Sequence, residues 1–170
     1  MNNPVEEPLV DLFRHHLWAN LRLLDSCESL TDAQLEATTP GTYGSIRATL
    51  THLAGSDESY LARLTGERPA DAIGKGAVVG IAELRAHIRR SGDGLIEVAG
   101  RAGTLGRIRV AWDDQAWQFP ASIILIQAIN HATEHRAHVM TIMTQLGLEP
   151  TDVSGWEYGV FTIPPEAGAG

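Results

Sequence analysis

An all-α four-helix bundle is the fold class this sequence predicts, with a short hairpin or extended loop inserted before the last helix. Three observations lead there. Four stretches of about 20 residues place apolar side chains at the 3.6-residue spacing of an amphipathic helix. Turn-forming residues punctuate the chain between those stretches. The composition, 44% hydrophobic and 20% charged, is that of an ordinary soluble globular protein. At 170 residues the chain suits one domain, 1–170, with a core spanning about residues 8–160. A chain of this size buries a core without needing a disulfide or a metal, so any metal here is functional rather than structural.

The first helix is predicted over 6–28, where Leu9, Phe13, His16, Asn20, Leu24 and Cys27 form one narrow stripe. Two polar residues, His16 and Asn20, sit inside that stripe, and Trp18 points nearly the opposite way. LTDAQLE, residues 30–36, reads as a short helical turn, with Thr31 and Gln34 placed as a capping box. After the loop TTPGTYGS, Ser45 caps a second helix over 46–65, which stops at Gly66. Its stripe is Ile46, Leu50, Leu53, Tyr60, Leu61 and Leu64.

Residues 70–79 read as loop. A third helix follows over 80–99, weakened by Gly92 and Gly94. GRIRVAWDDQAWQF then alternates around Ile108 and Val110, turns at Asp-Asp, and resumes at Trp117 and Phe119, the pattern of a short hairpin or extended loop. Pro120 suits the first turn of a long fourth helix, about 121–146, ended by Gly147. The tail from Leu148 shows no helical period. Its Trp156, Tyr158 and Phe161 are expected to fold back onto the bundle.

The net charge of −8 argues against a nucleic-acid-binding surface and against docking on anionic lipid. Arginine supplies nearly all the positive charge, and Lys75 is the one lysine. The single cysteine, Cys27, excludes an intrachain disulfide and, on the stripe of the first helix, is expected in the core. No signal peptide and no membrane span are read from the sequence, which makes a cytoplasmic location the expectation.

Seven histidines remain: 15, 16, 52, 87, 131, 135 and 138. Three fall in HATEHRAH, where His131, His135 and His138 lie near the centre of a stripe that includes Ile124, Ala128, Ile142 and Leu146. Imidazoles buried on an inner face need partners. Histidines at i and i+4 project from one helix face at a spacing that can chelate one ion. A third ligand must come from elsewhere, and three protein ligands with an open position is the pattern of a catalytic or substrate-binding site. Spacing leaves the third ligand open between His16 and His52, the latter about 120° from the centre of its own stripe. A third ligand one turn further along the same helix strains the geometry, which gives His138 a pocket role. His15 and His87, off their stripes, are expected at the surface. HATEH also matches the inverted zinc-protease pattern, with Glu134 as general base. Glu134 lies about 80–100° from the two histidines on the helical wheel, which weighs against that reading.

Three segments then carry a family resemblance: FRHHLWANLRLLD in the first helix, SIRATLTHLAGSDESYLARLTGERP in the second, and INHATEHRAHVMTIMTQLGLEPTDVSGWEYG in the last. In this order and at these distances, residues 8–160 resemble the DinB/YfiT-like proteins, damage-inducible metal-binding four-helix bundles. The resemblance implies a metal triad of His52, His131 and His135, and thereby favours His52 as the third ligand. It implies one divalent ion per chain, nickel or zinc, and a homodimer. Trp18 is a candidate for the dimer interface or for packing under the C-terminal tail. The implied activity is transfer of a low-molecular-weight thiol of the bacillithiol or mycothiol type to a small electrophile, or related detoxification chemistry. His16, Asn20 and His138 would line the pocket. Thiol-independent hydrolysis and a non-enzymatic metal-binding role are the alternatives.

Overall fold

The computed structural model describes residues 7–112 and 114–163. Four long helices form the bundle: α1 (Pro8–Cys27), α3 (Ile46–Thr65), α4 (Ile81–Gly100) and α5 (Ala121–Gln145). A one-turn helix, α2 (Asp32–Leu35), follows α1, and a short helix, α6 (Gly155–Thr162), follows α5. Between α4 and α5 lies an antiparallel hairpin, β1 (Arg107–Trp112) and β2 (Gln115–Pro120), with Val110 opposite Trp117.

Local chemistry sets most boundaries. Thr31 and Gln34 form the capping box that starts α2. Ser45 accepts the Ala48 N–H at the start of α3, and Gly66 ends it with a left-handed φ of 83°. Pro120 closes β2 and precedes α5 rather than lying in its first turn. The tail departs from expectation by forming α6. Ser154 caps it by accepting the Glu157 N–H, and Tyr158 and Phe161 pack on Trp18 at ring separations of 5.3 and 5.9 Å. A helix this short draws its stability from the cap and those tertiary contacts, which no periodicity reveals. Trp156, expected to fold back with them, is 90% exposed instead.

α1 packs against α4 and α5, and α3 packs against the same two, so α1 sits diagonally from α3. Ion pairs from Arg85 near the start of α4 to Asp25 and Glu28 at the end of α1 make those helices antiparallel. His52 meets His135 while Tyr60 meets His131, so α3 and α5 are antiparallel too. Glu58 meets His87 while Leu61 lies over Gly94, which makes α3 and α4 parallel. The bundle therefore runs up, down, down, up, with 66–80 as a long crossover. Gly92 and Gly94 have a packing role: a Cβ on either would come within 2.5 Å of Leu17 or Leu61, so their absence lets α4 approach α1 and α3 closely.

Two apolar clusters fill the interior. One gathers Leu23, Leu24, Leu50, Leu84, Ile88 and Ile142, with loop residues Ile73 and Val79. The other gathers Phe13, Leu64, Leu95, Leu125 and Ala128, with Val110 of the hairpin closing that end. Between them, at mid-height on each helix, lies a buried polar layer that includes His16, Asn20, Asp57, Ser91, His135 and Arg136. No helix among the described residues is long and apolar enough to cross a membrane.

Candidate metal centre

The face that α3 and α5 share brings three imidazoles together. His131 and His135 stand one turn apart on α5, next to buried Ala128, Ala132 and Val139. On α3, Leu50, Leu53 and Ala54 are buried and His52 flanks them, half-buried toward α5. The Nε2 atoms of His52 and His131 are 3.0 Å apart, and those of His135 and His131 are 3.1 Å apart. One ligand atom from each of the three lies within 4.8 Å of the others.

Electrostatics keep these rings neutral. Burial, reinforced by the neighbouring His131, His52 and His138, pushes His135 down to about 4. Burial also lowers His52. His131 is lowered by burial and by His52, against an opposing pull from Asp57 and Glu134. Neutral imidazole with a free lone pair is the form that binds a metal. Four-coordinate zinc with bonds of about 2.05 Å needs ligand nitrogens roughly 3.3 Å apart, close to the observed separations. The donor set therefore fits a divalent ion held by His52, His131 and His135, and imidazole donors suit both nickel and zinc.

The rings are held mainly by aromatic packing. Tyr43 stacks on His52 at 4.2 Å and meets His135 edge-on at 4.9 Å, and Tyr60 meets His131 edge-on at 5.8 Å. The Nδ1 atoms of His131, His135 and His138 are buried with no hydrogen-bond partner among the described residues. His138 stands beside the triad, its ring 5.4 Å from that of His135.

Two expected pocket groups lie elsewhere. His16 and Asn20 are each 1% exposed and belong to the sealed layer. His16 Nε2 lies 2.8 Å from Asp57 Oδ2, Asn20 donates to the same oxygen at 3.2 Å, and Arg136 donates to Asn20 Oδ1 at 2.7 Å. Burial holds Arg136 down at about 10, against the pull of Asp57, so it stays charged at neutral pH. The expected exposure of His15 and His87 is also corrected. His15 Nε2 lies 2.8 Å from the Val153 carbonyl oxygen, beside Trp18 and Tyr158. His87 is buried because its Nδ1 meets Glu58 Oε1 at 2.8 Å. Glu134 is exposed on α5, beside the triad's helix face rather than among its three convergent imidazoles. Cys27 is fully buried in the core as expected, and burial raises its thiol to about 11.

Sequence reasoning missed Asp57, Arg136 and Tyr43. The first two left a signal. Asp57 follows Leu53 by four residues, and Arg136 sits between Ala132 and Val139 at i+4 and i−3, so each puts a charge on an apolar stripe. Tyr43 comes from a loop and left none.

Two antiparallel helices that aim three neutral imidazoles at one point define a helical-bundle protein able to hold a metal ion between facing helices. The DinB family model matches residues 1–164, and the chain belongs to the DinB family. No curated protein matches it.

Proposed function

We propose that this chain is a metal-dependent S-transferase that joins a low-molecular-weight thiol, of the bacillithiol or mycothiol type, to an electrophilic small molecule in a detoxification reaction. The observation that carries the reading is the convergence of the His52, His131 and His135 Nε2 atoms on one point at the α3–α5 face. A nickel or zinc ion held there supplies Lewis acidity, which favours the deprotonated form of a thiol.

The chain's own residues set up that chemistry. Tyr43 covers His52 and His135, limiting water at those rings. Asp57 places a buried negative charge near His131. His138, next to His135 but outside the convergent set, is the side chain placed to hold or pass a proton. His16 and Asn20 support the site from within by holding Asp57 and Arg136.

The assembly we propose is a homodimer in the cytoplasm. Trp18 is covered by α6, so a second copy would meet the outer face of α6, where Trp156 and Val160 are exposed. Sedimentation of wild type and Trp156→Ser tests this: a dimer that the substitution dissociates is expected, and a monomeric wild type overturns it.

Elemental analysis of tag-free protein tests the function, with wild type beside His135→Ala, followed by conjugation assays on a panel of thiols with a model electrophile. About one nickel or zinc per chain, lost in the variant together with thiol conjugation, is expected. Turnover that needs no added thiol would reassign the site to hydrolysis. A metal-free wild type, after dialysis against both ions, would remove the enzymatic reading.

A further inference from the structure

A groove of about 490 Å³ runs from the outer side of His52 along α3 to the crossover 66–80. The α3 side contributes Thr51, His52, Ser56 and Ser59, and the crossover contributes Arg68, Ile73 and Lys75. Three cations, Arg47, Arg68 and Lys75, face a single carboxylate, Glu36, in this lining, although the chain as a whole carries −8. Arg47 is committed to Glu36 and Asp32. Arg68 donates only to the Ile73 carbonyl oxygen, and neither it nor Lys75 has a carboxylate partner among the described residues. The one lysine of the chain is thus spent here.

The outer wall is anchored. Glu58, 2% exposed, accepts the Ile73 N–H at 2.8 Å with one oxygen and meets His87 and Arg90 with the other. Burial would raise the Glu58 carboxyl, but those hydrogen bonds outweigh it and hold the group below its ordinary range. Arg90 also pairs with Asp71 of the crossover at 2.9 Å. In the inner wall, Thr51 is 6% exposed and its hydroxyl has no partner among the described residues. Thr49, two residues earlier, bonds back to the Ser45 carbonyl oxygen in the usual helical manner.

We infer that this groove is an anion-binding subsite: Arg68 and Lys75 hold a carboxylate or phosphate group of the small-molecule substrate, whose reacting end then lies at His52. The assignment of a reaction at His52 rests on the function proposed above; the anion site itself does not. An anchored wall, uncompensated cations and hydroxyls on the facing helix can fix the orientation of a small anion and raise its local concentration. In a chain with net negative charge, such a local reversal of sign favours an anionic substrate.

Chemical-shift mapping on ¹⁵N-labelled, zinc-loaded protein tests the subsite without thiol chemistry. The probes are succinate and inorganic phosphate, with sodium chloride at matched ionic strength as control. Saturable shifts at Thr51, Gly74, Gly76 and Ala77 are expected for at least one probe, and which probe gives them distinguishes carboxylate from phosphate. The Arg68→Gln/Lys75→Gln double variant alters exposed side chains, so its fold and metal content should hold. Its affinity should fall roughly tenfold, the size of two exposed charge contacts. Shifts reproduced by sodium chloride, or equal affinity in the double variant, overturn the subsite. Binding of the probe to metal-free His135→Ala separates the two readings: retained, it upholds the groove even if the proposed reaction fails.

Discussion

His16 and His87 each end on a buried carboxylate, whereas His52, His131 and His135 end on one another. All five are buried or half-buried on the helices of one bundle. The difference lies in what completes them. Asp57 and Glu58 are adjacent on α3 and reach different helices, one α1 and one α4, and each supplies an acceptor to an imidazole. At the α3–α5 face no carboxylate among the described residues hydrogen-bonds the three rings, whose nitrogens meet one another instead, and burial suppresses their protonation. A core histidine held by a carboxylate is a structural group, even where its second nitrogen, as in His16, has no partner among the described residues, and one that meets only other imidazoles is free to act as a ligand.

Breaking the carboxylate-partnered side should have the largest effect. Asp57→Ala leaves Arg136 without its balancing charge and His16 without its acceptor, and is expected to cost about 3–5 kcal/mol of stability in the metal-free protein. Denaturant unfolding measures it; a loss under about 1 kcal/mol would mean that the layer is not held by that carboxylate. On the other side, His135→Ala should barely affect the fold's hydrogen bonding yet weaken metal binding by roughly 100-fold or more, above what losing an outer partner of a ligand costs. Competition with a chromophoric chelator reads this, and unchanged affinity would take His135 out of the ligand set.

Acid tests the triad next. His52, His131 and His135 all have folded-state values below the ordinary 6.5, His135 at about 4. Between those limits the unfolded chain binds more protons than the folded one, so their contribution is full above pH 6.5 and lost as pH falls toward 4. Metal-free wild type should lose more than about 1 kcal/mol across this window, and His135→Ala distinctly less. Identical pH profiles would show that the neutral triad is not what titrates. The smallest effect should come from His87→Ala. Glu58 keeps the Ile73 N–H and Arg90, so the loss should be about 1 kcal/mol, with metal content unchanged. A drop in metal content would join the two groups that the structure separates.

Much of this was legible beforehand. The boundaries of α1, α2, α3 and α4, a hairpin or extended loop before α5, and the placement of Cys27 followed from periodicity and capping chemistry, which act within a few residues of chain. The pair His131–His135 was legible for the same reason, being one turn apart on one stripe. His52 was named only through family resemblance, because its angle on its own helix does not say which helix lies opposite. α6 was missed, since eight residues under a single cap depend on Trp18 of a distant helix. His87 was misplaced at the surface because Glu58, its partner, is 29 residues away.

The sequence by itself determined the four helices, their apolar faces, and a pair of imidazoles that needed a partner. Tertiary structure decided the rest. The up-down-down-up arrangement puts α3 beside both α4 and α5, and so gives Glu58 to His87, Asp57 to His16, and His52 to His131 and His135. The physical reason is range. Periodicity and caps are properties of neighbours in the chain, while the completion of a buried polar atom depends on which helix packs across from it.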